Sequence, residues 1–263
     1  MPLVFAAITP HPPILIPNIG KENIEKLNLT KQAFLKLAEK LKNIKPDRII
    51  IISPHGIIFD DAFSINIAER LNSDFVEFGE FTTKMEFFPD LELITEIKEK
   101  SGQDDFKLRL VSEKLDYGFS VPLFYLLNEI KDTPIVALHY SNLDYQKHYD
   151  FGKMLFEIIS KDSKKTAVIA SGDLSHKLLE KSPAGYFKQA MEFEQKLIDL
   201  LNKNQHDEIL RLDKIIVKES ADCGFRSILI LLGILNGMNV KFNMLSYEYP
   251  FGTGYLTAEY DFL

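Results

Sequence analysis

The chain is short of four things, and each shortage removes a class of protein. There is one cysteine, Cys223, among 263 residues. No disulfide can close within the chain, which fits a reducing compartment and leaves one thiol for packing or for a metal. Positive charge is scarce as well, with 31 Lys and Arg against 38 Asp and Glu and a formal net charge of -7. Without a basic excess there is no electrostatic footprint for phosphate backbones or anionic lipid, so nucleic acid and membrane surfaces are set aside as partners. No stretch approaches the ~18 to 20 apolar residues that span a bilayer. The apolar run Leu3–Thr9 has no basic region before it and no small-residue cleavage site after it, so it reads as a first strand and the expected location is cytoplasmic. Internal repeats, low-complexity tracts and Pro/Gly/Ser-rich linkers are missing too, and the polar residues 161–165 serve only as a helix-to-strand connection. One domain over residues 1–263 is the economical organisation.

What is present is a core and a rhythm. Hydrophobic residues make up 46% of the chain, enough for a well-buried interior. Four short β-rich apolar runs, Leu3–Thr9, Arg48–Ser53, residues 134–138 and Thr166–Ser171, have the character of strands covered on both faces. Helical patterns lie between them over residues 21–44, 144–160 and 184–202, with apolar positions such as Leu27, Phe34, Leu37 and Leu41 in the first. Residues 119–130 and 227–235 read as further helices, the second apolar nearly all round and therefore buried. Residues 240–249 and Tyr255–Phe262 read as strands joined by the turn Pro250-Phe251-Gly252-Thr253-Gly254. The alternation predicts an α/β fold with a central, mostly parallel sheet flanked by helices. The 20 Phe and 10 Tyr are assigned to packing.

Three of the six histidines share one context: His11 follows the first strand, His55 the second, and His176 the strand that ends at Ser171. In open α/β sheets the functional crevice lies beyond the carboxyl ends of the strands, where loops distant in sequence converge. The loops Thr9-Pro10-His11-Pro12-Pro13, Ser53-Pro54-His55-Gly56 and Ser171-Gly172-Asp173-Leu174-Ser175-His176 place Pro or Gly beside the candidates, as suits a fixed imidazole. A single histidine so placed is ordinarily a capping or core hydrogen-bonding group. Three at equivalent strand ends point instead to one metal site, because imidazole is the commonest side-chain ligand, and two His with a carboxylate leave positions open at ferrous iron. The stretch Glu219-Ser220-Ala221-Asp222-Cys223-Gly224-Phe225-Arg226 supplies acids and the thiol, although an acidic helix N-terminus is the plainer reading of it. Asp173, three residues before His176, is placed to orient that ring or another ligand. His139, His148 and His206 have no motif around them and are assigned structural roles.

Six ordered blocks carry a resemblance over nearly the whole chain: Pro10-His11-Pro12-Pro13-Ile14, Ile52-Ser53-Pro54-His55-Gly56, Leu115-Asp116-Tyr117-Gly118, Ser171-Gly172-Asp173-Leu174-Ser175-His176, Asp222-Cys223-Gly224-Phe225-Arg226-Ser227, and Ser246-Tyr247-Glu248 through Gly252-Thr253-Gly254-Tyr255. With these the chain resembles the catalytic-subunit family of the class III extradiol dioxygenases, in the branch associated with AMMECR-type, Memo-like and radical-SAM proteins. The resemblance implies that His11 and His55 are metal ligands and that His176 is the acid/base toward a catechol. The family's third ligand is a glutamate shortly before an Arg; here the nearest acid is Asp222, while the Memo-like branch has a cysteine where Cys223 stands. The third ligand is thus Asp222 or Cys223. Catalytic relatives read Asp-His-Gly where this chain has Asp116-Tyr117-Gly118, and a phenol of ordinary pKa about 10 is a poorer proton acceptor near neutrality than imidazole at about 6.5.

The expectation is a non-heme dioxygenase that opens a catechol-like ring with O2 at Fe(II), Zn being the alternative metal, with His176, Tyr117 and Asp173 as its catalytic side chains. Its partners would be the small aromatic substrate, O2, and AMMECR-type or radical-SAM proteins, or a second copy of itself. The alternatives are a non-catalytic Memo-like metal or ligand-binding module and a zinc-dependent hydrolase using the same ligands.

Overall fold

The computed structural model describes residues 2–263. The elements follow in the order β1 (Leu3–Thr9), α1 (Pro17–Gly20), α2 (Asn28–Ile44), β2 (Arg48–Ser53), β3 (Phe63–Asn66), β4 (Leu71–Phe75), β5 (Glu80–Phe87), α3 (Leu91–Gln103), β6 (Leu108–Val111), α4 (Tyr117–Leu126), β7 (Ile135–His139), α5 (Tyr145–Ile159), β8 (Thr166–Ser171), α6 (Ala190–Asn202), α7 (His206–Leu210), α8 (Lys214–Glu219), α9 (Phe225–Ile234), β9 (Val240–Glu248) and β10 (Tyr255–Phe262).

Eight strands form one sheet in the order β6-β3-β7-β2-β8-β1-β10-β9, and β4 with β5 makes a separate hairpin. The four central strands, β7, β2, β8 and β1, are mutually parallel. Antiparallel pairing enters on both flanks, between β3 and β7 on one side and through β10 and β9 on the other. The sheet is therefore mixed, with its parallel part at the centre, where the apolar runs predicted it.

Those runs lack polar alternation because both faces of the sheet are covered. Ala6, Ile8, Ile50, Ile52, Val168 and Ala170 pack on one side with residues of α3, α5, α6 and α9. Their neighbours Phe5, Ala7, Ile49, Ile51, Ala167 and Ile169 pack on the other with α2 and α4. Adjacent residues of one strand thus feed two separate cores.

Several stretches differ from the sequence expectation: the helix expected over residues 184–202 begins only at Ala190, the one expected over 119–130 ends at Leu126, and α7 and α8 were not expected. Residues 21–27 form a 3-10 segment, so the helix expected from residue 21 begins at Asn28. Between β2 and α4, strands β3 to β6 and helix α3 lie where no apolar run marks them. β5 is buried only at its two ends, Glu80 and Phe87, with half-buried and exposed residues and further charges between them, so its pattern is that of a surface ribbon.

Candidate metal centre

Because β2, β8 and β1 are neighbours and parallel, the residues that follow them emerge at the same rim. His11, His55 and Asp173 each lie two residues beyond their strand. The Nε2 atoms of His11 and His55 are 3.0 Å apart. Cys223 Sγ is 3.5 Å from His11 Nε2, and one donor atom from each of the three side chains lies within 4.8 Å of the others. Nitrogen donors about 2.1 Å and a thiolate about 2.3 Å from a shared ion stand roughly 3 to 3.6 Å apart at tetrahedral or octahedral angles. The two closest separations fall in that range, so the donor set fits a metal.

The hydrogen bonds fix which form His11 takes. Ser171 Oγ donates its only hydrogen to the carbonyl of Gly118 at 2.5 Å. It can then only accept from His11 Nδ1, 3.0 Å away. The ring proton of His11 therefore sits on Nδ1, and Nε2 turns a bare lone pair toward His55 and Cys223. The His11 backbone N–H donates to Asp173 Oδ1 at 2.8 Å, locking the loop as well as the ring.

His55 is held through a longer chain. Its backbone N–H donates to Ser53 Oγ, which donates to Asp116 Oδ1 at 2.7 Å. The same carboxylate oxygen caps α4 by accepting from Gly118 N at 2.7 Å. The His55 ring lies on Tyr117, with ring centres 4.3 Å apart. Burial pushes His11 and His55 below the ordinary imidazole range, the proximity of His11 adding to the effect on His55, so both are neutral, the form that ligates.

Cys223 reaches the histidines by a backbone-to-backbone contact. A Cβ on Gly172 would lie 2.1 Å from Gly224 Cα, so only glycine lets the loop after β8 touch the start of α9. Across that contact Cys223 N and Gly224 N donate to the Asp173 carbonyl, and Asp173 N donates to Cys223 Sγ at 3.2 Å. Burial, reinforced by the Asp173 charge, pushes the thiol well above its ordinary value. The thiolate therefore needs a cation beside it.

The side chains of residues 222 and 223 diverge. Asp222 Oδ1 accepts from Phe225 N at 2.7 Å, and burial raises its carboxyl to about 6. Of the two alternatives for a third donor, Cys223 joins the convergent set and Asp222 caps the helix. Asp173 stands between two rings, its Oδ2 4.0 Å from His11 Nε2 and 3.8 Å from His176 Nε2. His176 Nδ1 is 2.7 Å from the Ala221 carbonyl, which can only accept, so Nδ1 carries a proton and Nε2 is free to take another. Tyr117 edges His11 and stacks on His55, and burial followed by the charges of Cys223, Asp173 and Asp116 pushes its phenol above the ordinary range. A phenol held neutral in this way can donate a hydrogen bond but is a poor proton acceptor.

Sequence reasoning missed the supporting residues. Ser53 and Ser171 end apolar strands as fully buried hydroxyls, and that break in RIIIIS and TAVIAS was the available signal. His139, assigned a structural role, has one: its Nδ1 is 3.2 Å from Ser64 Oγ and its Nε2 is 3.4 Å from Asp116 Oδ2. Although burial pushes Asp116 up, its attraction to His139 and the hydrogen bond from Ser53 outweigh that and hold the carboxylate below its ordinary value. His148 and His206 lie away from the centre, bonded to the Asp144 and Ser141 carbonyls and to Tyr149 respectively.

Comparison with known proteins gives this arrangement its lineage. Residues 5–258 match the family described as the catalytic LigB subunit of aromatic ring-opening dioxygenase. A protein of Clostridium acetobutylicum is 32% identical over 258 residues; the match takes in 94% of this chain, which spans 55% of that protein's length. The 2-aminophenol 1,6-dioxygenase beta subunit of a Pseudomonas species is 20% identical across 98% of this chain and 94% of its own. The 3,4-dihydroxyphenylacetate 2,3-dioxygenase of Escherichia coli is 25% identical over 62% of each chain. Among solved structures, an uncharacterised Escherichia coli protein superposes with a TM-score of 0.69 over 97% of this chain and 98% of its own at 18% identity, a likeness of fold. The chain belongs to the LigB family of catalytic subunits of aromatic ring-opening dioxygenases.

Proposed function

We propose that this chain, a single domain over residues 1–263 acting in the cytoplasm, is a metal-dependent oxidoreductase that opens a catechol-like aromatic ring with dioxygen. The observation that carries the reading is the convergence of His11, His55 and Cys223 at the carboxyl rim of the parallel strands. These three would hold the metal; Fe(II) bound there would supply a Lewis-acidic, redox-active centre with positions open to two substrate oxygens and O2.

The chain's own residues supply the rest. His11 presents Nε2 because Ser171 occupies Nδ1. His176 Nε2 receives the proton released from a substrate hydroxyl, and Asp173, 3.8 Å away, stabilises the resulting imidazolium. Tyr117 roofs His55 and donates a hydrogen bond to an oxygen of the bound reactants.

A second reading is favoured by one observation: the third side chain of the convergent set is a cysteine, not a carboxylate. Softness shifts preference from iron toward zinc, and with Tyr117 a poor proton acceptor the same centre suits a Memo-like binding module working with AMMECR-type or radical-SAM partners, or as a homo-oligomer. Metal analysis of protein purified without oxygen, with oxygen uptake on a panel of catechols, separates the two. Iron and catechol-dependent uptake support the dioxygenase. Stoichiometric zinc and no uptake with iron-reconstituted protein leave the binding module.

A further inference from the structure

Three residues beyond Cys223, the first turn of α9 carries Arg226, which nothing in the metal centre employs. Its guanidinium carbon lies 5.7 Å from the ring centre of Tyr140 and 5.4 Å from that of Tyr145. Its Nε is buried without a hydrogen-bond partner, and among the described residues no carboxylate oxygen comes within 4.0 Å of the guanidinium. Asp222, the acid nearest in sequence, accepts the Phe225 N–H instead. A buried donor left unpaired is costly, and nearly all find partners. One kept on a permanent cation, held by aromatic faces and not by an acid, retains its charge and its planar fork for an anion that arrives with a ligand.

Tyr140 joins this cation to the metal donors. Its backbone N–H bonds the Ser53 carbonyl at 3.4 Å, at the root of the His55 loop. Tyr140, one residue beyond β7, and Arg226, in the first turn of α9, therefore stand at the same carboxyl rim as the metal donors.

We propose that Arg226 anchors a carboxylate carried by the ring substrate, so that this centre takes acidic and not neutral aromatics. The assignment rests on the ring-opening reading and names its substrate class. The planar fork of Arg matches a carboxylate bidentately, which also orients the ring toward the metal donors.

The test is isothermal titration, without oxygen, of the metal-loaded protein with three probes: 4-methylcatechol, 3,4-dihydroxyphenylacetate and phenylacetate. Wild type is expected to bind 3,4-dihydroxyphenylacetate about 10- to 100-fold more tightly than 4-methylcatechol, the range of a charge-assisted bond. Arg226→Met should erase that preference and leave 4-methylcatechol affinity unchanged, while Arg226→Lys, keeping charge but not the fork, should retain part of it. Equal binding of the two catechols to wild type overturns the anchor and leaves the ring-opening reading intact. A preference that survives in Arg226→Met overturns it as well. Phenylacetate binding that depends on Arg226, with neither catechol bound, supports the anchor and overturns the catechol reading. No binding of any probe overturns both. Should Arg226→Met fail to fold, the wild-type ratio and Arg226→Lys decide alone.

Discussion

The two ends of the same parallel strands bury polar groups in opposite ways. At the amino end, Arg48 opens β2 with its side chain wholly buried. Its charge is answered on the spot: Nη2 lies 2.6 Å from Asp162 Oδ2 and Nε donates to Thr166 Oγ1 at 3.0 Å, although Nη1 is left without a hydrogen-bond partner. At the carboxyl end, two imidazole Nε2 atoms and a thiol, all of them metal-binding atoms, face one another. One rim pairs opposite charges, and the other gathers like donors. Polar burial alone therefore does not mark a functional site; complementary burial closes a structure, and non-complementary burial leaves a place for something else.

The largest effect that would break this contrast lies at the donor rim. His11→Ala and His55→Ala are each expected to abolish stoichiometric metal retention, read by elemental analysis after gel filtration, while the far-ultraviolet circular dichroism stays as in wild type. Full metal occupancy in either variant would make the convergence incidental. At the other rim, Arg48→Met should leave metal content untouched and lower the unfolding free energy by about 2 to 4 kcal/mol, since it strands Asp162. The figure lies toward the low side because Asp162 is partly exposed and water screens it. A variant as stable as wild type by urea titration would mean that the pair adds nothing.

Ser171→Ala sharpens the contrast at smaller scale. It removes the acceptor that keeps the His11 proton on Nδ1. Metal affinity should fall roughly 10- to 100-fold, the usual cost of losing such a supporting group. Competition with a chelator of known affinity reads it, and an unchanged constant would show that the tautomer is set by something else.

How far the site was legible depends on what each residue must do. His11 and His55 announced themselves because strand ends are legible from apolar runs and the chemistry of imidazole is distinctive. Cys223 was visible only as one of two alternatives, because the choice between neighbours 222 and 223 is made by the Gly172–Gly224 contact, which joins segments about fifty residues apart. Arg226 stood beside Cys223 in one of the six ordered blocks, yet its lack of a partner is a property of the fold alone. The parallel centre of the sheet was readable for the reason β5 was not: burial on both faces leaves an unbroken apolar run, whereas a half-exposed hairpin mixes charges into its pattern. Antiparallel flanks were hidden because strand direction leaves no mark on composition.

The smallest expected effect concerns a buried acid beneath the rim. Glu194 on α6 accepts from Ser175 N at 2.6 Å and from the Tyr247 hydroxyl, and so holds the loop that carries His176. No cation pairs with it among the described residues, and burial raises its carboxyl from near 4.5 to about 8. Between those values the folded chain keeps a proton that the unfolded chain releases. The group's contribution to stability is thus fully present below about 4.5 and is lost as pH rises through about 8. Wild type should therefore show a Tm that declines across this window. Glu194→Gln resembles the protonated acid and should decline less, so that the two Tm curves draw together toward low pH and separate toward high pH. Asp222, raised by burial to about 6, adds a slope of the same sign, but it is present in both proteins and cancels in the difference. Parallel Tm curves would show that Glu194 is already ionised in the folded state. That outcome would require a positive charge beside it and would make this part of the rim complementary, like the Arg48 end.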